Sequence, residues 1–399
     1  MSPWSARLPL VFSCLGHAYM HLFTAFYFVI VLALEVEWRL PYHELIELWT
    51  LGALLVGLCA LPAGWLGDRW SAPGMMVVFF IGLGLSSILC GFMAGPDALL
   101  LGLASIGLFS SIYHPVGIAW LVRSAKKRGR ALGINGIFGS IGVASAGLTA
   151  GALIDGFGWR AAFFVPGAIS VTTGLALLVC LRLGLVADAR AGVTTGSKPS
   201  RTEMLRAFTI LVFTMLAIGL VFHSTQSALP KVFDLRLRDI AGEGIFGIGA
   251  IVAGVYLLGG MMQVIGGYLA DRFPLKPIYL MALAIQVPVL ACLAAFAGLP
   301  LIMVAVLTVM LSTAALPAEN MLLARFTPER HHALAFGVKF VLAFAIAPVA
   351  LALVAIVQER TGEFVWLFWV LAGVTLLAGL AAALLPGGAR AEPQAAGAV

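Results

Sequence analysis

Long apolar runs separated by short polar punctuation dominate the chain. Reading from one cluster of charge, Gly or Pro to the next gives twelve runs, at 8–34, 45–65, 74–94, 98–122, 131–154, 161–183, 206–230, 245–270, 276–296, 299–324, 333–357 and 363–385. A helix needs about 20 apolar residues to cross a hydrocarbon core of about 30 Å, and each run is of that order. The pattern predicts an all-α polytopic membrane protein with twelve transmembrane helices. The first run exceeds the about 7–15 apolar residues of a cleavable secretory signal, so it is read as a membrane helix that also directs insertion.

Composition agrees with this class. Only 11% of the 399 residues are charged and 61% are hydrophobic, against about 25% charged in soluble domains. The five cysteines, Cys14, Cys59, Cys90, Cys180 and Cys292, all fall in apolar runs without CxxC spacing. They read as small packing residues, not as disulfide partners or zinc ligands.

The net charge of +6 would suit nucleic acid, but its distribution has another cause. With both termini on one face, 17 of the 24 Lys and Arg residues fall on that face. The other face receives six, Arg39, Arg160, Lys231, Arg236, Arg238 and Arg360, while Lys339 lies within a run. By the positive-inside rule both termini are cytoplasmic. The expected location is a bacterial-type cytoplasmic (inner) membrane, and no nucleic-acid partner is expected.

The longest polar connection, "GLVADARAGVTTGSKPSRTEML" at 184–205, divides the runs six and six. The expected organisation is a six-helix half at 1–183, a cytoplasmic linker at 184–205, a second half at 206–385 and a disordered tail at 386–399. The linker's Gly, Ser, Thr and Pro favour flexibility, and its basic residues favour contact with anionic lipid.

The halves echo each other. "GWLGDRW" at Gly64–Trp70 returns as "GYLADRF" at Gly267–Phe273, an offset of 203. Pro115, Arg123 and Arg128 return as Pro317, Arg325 and Arg330, an offset of 202. Several matches in the same order at nearly one offset point to duplicated six-helix units.

With twelve runs, a central loop and G-x-L-x-D-R after runs 2 and 8, the chain resembles the major facilitator superfamily over about 8–385. That resemblance implies a gating role for Gly64, Asp68 and Arg69, and for Gly267, Asp271 and Arg272, in loops that hold the inside gate. Glycine permits close helix approach, aspartate can meet a helix N-terminus, and arginine offers several donors. After the first copy come Trp70, Ser71, Ala72 and Pro73, without the usual glycine and paired basic residues. This points to a gate held more weakly or by other contacts; a simple tight polar loop is the alternative. The segment "YHPVGIAWLVRSAKKRGRALG" resembles the fourth-helix region of fosmidomycin-resistance-type efflux proteins. The fifth run has the glycines of drug:proton antiporters but lacks their closing Gly-Pro.

Ionisable residues at membrane depth are costly and usually face a bundle interior or cavity. They are His17, His21, His114, His223, Glu319 and Lys339. The resemblance implies that spans 1, 4, 7 and 10 line the central cavity, and five of the six fall there. Ser110, His114 and Gly117 share a helical face. Pro115 releases the carbonyl of Ser111, which predicts a kinked, cavity-facing site, with Pro317 as the second kink; His114 bonded to a neighbouring helix is the alternative. His17 and His21, spaced i, i+4, could bind metal, but two ligands do not close a site. They are expected to contact protons or substrate, or simply to pack; no metal is expected. Glu319 and Lys339 lie roughly 9–10 Å inside the same boundary at 1.5 Å per residue. Paired, they would form a gate or substrate-charge site; unpaired, Glu319 would take up a proton more readily and could carry it. Asn135 is the neutral repeat counterpart of Lys339.

The expected function is secondary active transport of a small organic solute by alternating access, coupled to protons, with efflux the direction the fosmidomycin-type resemblance implies. Uptake symport and a non-transporting sensor on the same scaffold stay open. No P-loop and no nucleophile–base pair in a loop domain is found, so neither an enzyme nor a cofactor is expected. The expected partners are a small-molecule substrate, protons and membrane lipid, and the expected state is a monomer.

Overall fold

The computed structural model describes residues 7–125, 128–186, 201–327 and 332–386. Among them every element is helical. The first six spans are α1 (Leu8–Ala25) with α2 (Tyr27–Trp38); α3 (Tyr42–Glu47), α4 (Thr50–Leu58) and α5 (Ala60–Arg69); α6 (Ala72–Phe92); α7 (Pro96–Ser110), a π-helical turn at Tyr113–Gly117 and α8 (Ile118–Ser124); α9 (Arg128–Phe157); and α10 (Trp159–Arg182). The last six are α11 (Arg201–Arg236), followed by the short α12 (Arg238–Ala241); α13 (Ile245–Arg272); α14 (Leu275–Ala295); α15 (Gly298–Arg325); α16 (His332–Ala345) with α17 (Ala347–Thr361); and α18 (Val365–Ala383). Eleven of the spans are single apolar helices or nearly so, and the second span is a pair bent by 41°. All twelve expected runs are therefore present.

Breaks in the helices follow local chemistry. Pro62 lacks an N–H and crowds the carbonyl four residues earlier, and the chain bends at Cys59, between α4 and α5. Pro348 lies in the first turn of α17, where its missing N–H costs nothing, just after the break at Ile346. Ser71 caps α6 by accepting from the Gly74 N–H at 3.1 Å. Pro115 sits inside the π-helical turn, whereas α15 runs on through Pro317 without interruption. The two prolines of the repeat thus differ in local outcome.

Arg201–Leu205 belongs to α11 and not to the linker, so the helix starts five residues before the expected boundary. The rest of that linker beyond Val186, and the tail beyond Pro386, lie outside the described residues.

Large apolar side chains such as Leu101, Phe157 and Met303 are exposed around the outside, as lipid-facing positions require. Close packing uses glycine where backbones meet. A Cβ on Gly107 of α7 would lie 2.1 Å from the Gly52 carbonyl oxygen of α4, whereas one on Gly373 would meet open space. Gly107→Ala is therefore expected to cost about 1–3 kcal/mol, as overpacking typically does, and to lower the apparent thermal midpoint in detergent. Gly373→Ala should leave that midpoint unchanged.

Candidate functional site

The first span brings His17 and His21 to the middle of the bundle, and the π-helical turn brings His114 to meet them. Ring centroids are 4.9 Å apart for His17 and His21, 5.4 Å for His17 and His114, and 5.6 Å for His21 and His114. A π-helical turn inserts an extra residue into the helix and is frequent at functional sites. Here it places Tyr113 and His114 side by side, with Tyr113 stacked on His17 at 5.1 Å. Gly139 of α9 makes room for His17: a Cβ there would lie 2.7 Å from the ring.

A buried polar network holds this cluster. His17 Nδ1 lies 2.7 Å from the Asn135 carbonyl oxygen. A carbonyl only accepts, so Nδ1 carries the proton and Nε2 presents a lone pair. Asn135 Nδ2 donates to the Tyr113 hydroxyl at 2.8 Å, and that hydroxyl reaches the Ser13 carbonyl at 2.9 Å. Among the described residues neither nitrogen of the buried His114 has a hydrogen-bond partner. In place of a bond to a neighbouring helix, its ring stacks on Phe340 and meets Phe344 at a tilt, both of α16 and each with centroids 5.0 Å away.

The spacing along the chain put two histidines, His17 and His21, on one face, and the structure adds His114 to them. Three imidazoles from two spans meet, with one ligand atom from each lying within 4.8 Å of the others. Proximity in space, not i, i+4 spacing, supplies the third.

Glu319 and Lys339 do pair. Lys339 Nζ donates to Glu319 Oε1 at 2.5 Å and to Asn320 Oδ1 at 2.6 Å, and the Tyr279 hydroxyl donates to Glu319 Oε2 at 2.9 Å. Glu319 is 2% exposed and Lys339 7%, so the pair is enclosed among α14, α15 and α16. In the first half Asn135 supplies neutral hydrogen bonds in place of this charge.

Between the two sets of spans lies a narrow cavity of about 30 Å³. Its walls are mostly aromatic and aliphatic, including Trp49, Phe222 and Phe344, with His21, His223, Thr24 and Gln226 as the polar groups. His223 Nε2 donates to the Ala343 carbonyl at 2.9 Å, leaving Nδ1 as an acceptor. Gln226 Nε2, Ser224 Oγ and Thr225 Oγ1 are buried without partners among the described residues. An apolar cavity with a few convergent polar groups is the usual form of a small-molecule site.

At the face opposite the termini, a set of contacts that sequence reasoning missed fastens the halves together. Lys231 of α11 donates to Glu35 of α2 at 2.6 Å and to Asp234 at 3.1 Å. The Tyr42 hydroxyl donates to the Ser227 carbonyl at 3.0 Å. Asp155 of α9 accepts from the Ile245 and Phe246 N–H groups at 3.0 and 2.8 Å, capping α13. Each charge stands near a span end, where boundary charges are ordinary, so hydropathy alone offers no signal for the pairing.

The two repeated loop motifs differ. Gly64 packs against Pro115, with a Cβ there 3.1 Å from the proline Cβ, whereas Gly267 has open space around it. Close approach at both glycines was expected and occurs at Gly64. Asp68 accepts from Arg123 Nη1 at 3.2 Å, a bond within the first half, and its side chain is 72% exposed. Arg69 lies over the Trp65 ring. Arg272 bonds the Tyr268 hydroxyl, and Asp271 is exposed.

The sequence matches the model of the Major Facilitator Superfamily over residues 13–255 and 239–398. A probable sugar efflux transporter of Mannheimia succiniciproducens is 26% identical over 228 residues, 55% of this chain and 56% of that protein. A multidrug resistance protein B homolog of Mycobacterium tuberculosis is 29% identical over 218 residues, 47% of this chain and 39% of its own. The chain thus spans about half or less of the length of these relatives. A bacterial homolog of the human lysosomal transporter Spinster, solved in an inward-facing, occupied conformation, has a TM-score of 0.73 at 15% identity, covering 96% of this chain and 95% of that one. At that identity the likeness is one of fold.

Proposed function

Because this chain belongs to the major facilitator superfamily, we propose that it exports a small organic solute by alternating access, in exchange for protons. The observation that carries this reading is the cavity between the two sets of six spans, lined by His21, His223 and Gln226 and fastened on the face opposite the termini. Efflux as the direction is supported by the sugar efflux and multidrug resistance relatives that the chain matches in part. Cytoplasmic termini and an inner-membrane location are supported by the excess of Lys and Arg on the terminus face.

Proton coupling is assigned to Glu319. It is a buried carboxylate whose cationic partner, Lys339, is carried by a different helix, so a movement that separates the two frees Glu319 for another partner. The helix that carries Lys339, α16, also touches the first half, since a Cβ on Gly57 of α4 would lie 3.0 Å from the Ala345 nitrogen. Rocking of the halves therefore bears on the distance between Lys339 and Glu319. The repeated loop motifs at Asp68 and Asp271 are assigned to the opposite state, as a gate on the terminus face.

The test is growth of an efflux-deficient bacterial host across a panel of toxic small molecules, fosmidomycin included. Wild type is expected to protect against at least one compound, and Glu319→Gln at matched expression to abolish that protection. In proteoliposomes the same compound should drive proton movement with wild type and not with Glu319→Gln. Sensitisation by wild type would reverse the direction to uptake. Solute binding without any flux would make the protein a sensor.

A further inference from the structure

We infer that His17, His21 and His114 form a binding site for one divalent transition-metal cation of the Zn²⁺, Co²⁺ or Ni²⁺ kind, with a further coordination position open to the central cavity. This stands apart from the transport reading: the site binds its ion whether or not the protein moves a solute.

The donor set fits such an ion. Three imidazole nitrogens lie within 4.8 Å of one another. Zinc–nitrogen bonds of about 2.0–2.1 Å in a tetrahedron set ligand nitrogens about 3.4 Å apart, so side-chain torsions need to draw the rings in by about an ångström. Neutral imidazole suits zinc, copper and nickel, whereas magnesium and calcium prefer oxygen ligands. Three protein ligands and one open position is also the coordination typical of accessible zinc sites.

Two further observations point to a ligand, independently of the clustering. First, His17 donates its Nδ1 proton to the Asn135 carbonyl at 2.7 Å. Metal-bound histidines are held in this way, with the far N–H on a carbonyl or carboxylate and the near nitrogen free for the ion. Second, His114 is 8% exposed, and among the described residues both of its nitrogens lack partners. A buried imidazole left unsatisfied costs free energy unless something meets it. Phe340 and Phe344 fix the plane of the ring, so a nitrogen is held toward His17 and His21 without a hydrogen bond of its own.

An entry path exists as well. His21 lines the central cavity, so an ion arriving there meets the first ligand directly. An ion held by three imidazoles keeps its full positive charge, so the open position would take water or an anionic group of a solute. Once bound, the ion would tie α1 to the π-helical turn.

The test uses full-length, tag-free protein in detergent, stripped with chelator and titrated with Co²⁺ by absorption and with Zn²⁺ by calorimetry. One equivalent is expected to bind, with visible d–d bands typical of low-coordinate cobalt. His21→Ala and His114→Ala should each weaken binding by more than the roughly 10–100-fold that loss of an outer-shell partner costs. His43→Ala and the double substitution His331→Ala with His332→Ala remove three of the four remaining histidines, all but the cavity-lining His223, and should leave the binding intact. If an alanine variant is not monodisperse, His21→Gln and His114→Gln replace it. Absence of saturable binding would overturn the site. So would binding that survives both ligand substitutions, or that depends on His43 or on His331 and His332. Loss of efflux in the growth assay with cobalt binding retained would leave the site standing and sink only the transport reading.

Discussion

Lys339→Ala is expected to destabilise the protein strongly, and adding Glu319→Gln is expected to restore most of the loss. In the native arrangement the Lys339 ammonium and the Tyr279 hydroxyl share the two oxygens of a carboxylate that is 2% exposed. Removing the lysine leaves a buried charge with one neutral donor. Breaking a buried ion pair from one side costs about 3–5 kcal/mol, because the remaining charge has lost its compensation, whereas removing both charges is often close to neutral. The measurement is the apparent midpoint of thermal unfolding in detergent for wild type, Lys339→Ala, Glu319→Gln and the double variant. Glu319→Gln alone should fall between, since Lys339 keeps Asn320 as a partner. If the double variant is no more stable than Lys339→Ala, the charge argument fails and Lys339 acts through packing.

The second large effect is conformational. Lys231→Ala should shift the protein toward the state open on the face opposite the termini. Lys231 stands between Glu35 of the first half and Asp234 of the second, at 2.6 and 3.1 Å. Without it Glu35 loses its cationic partner across the junction, while Asp234 keeps Arg238, so the attraction that holds the halves together is lost. A coupling of about 1–3 kcal/mol, or a factor of about 5–150 in population, is the usual scale of such switches. Labelling of Ser227→Cys by a membrane-impermeant maleimide, with the five native cysteines replaced by alanine, reads this directly. Ser227 is buried beneath the latch and its carbonyl accepts from Tyr42. Labelling should be slow with Lys231 present and faster in Lys231→Ala. Adding Glu35→Gln should slow it again, and equal rates in all three proteins would show that the ion pair does not hold the halves.

Much of the candidate site was legible in the chain, because ionisable groups are rare at membrane depth and each one stands out against its run. His17, His21, His114, His223, Glu319 and Lys339 were visible for that reason, and the structure brings the first three into one cluster and the last two into a pair. Ser13, Tyr113 and Asn135 were not visible as a unit. Their side chains are common in membrane helices, and only contact tells a hydrogen-bonded network from ordinary polar packing. The opposite-face latch was hidden for a different reason. Charges at span ends are what any membrane helix carries, so Glu35 and Lys231 looked like boundary residues.

By itself the sequence determined the twelve spans, their six-and-six division, and which residues would be expensive to bury. These follow from hydropathy and repetition, which are local along the chain. Only the tertiary structure decided who meets whom. Glu35 and Lys231 are 196 residues apart in sequence, and Ser13 and Tyr113 are 100 apart. Such contacts depend on helix rotation and on small local choices, such as the π-helical turn that aims His114 at His17. One extra residue in a turn rotates every side chain beyond it, and no run of apolar residues records that rotation.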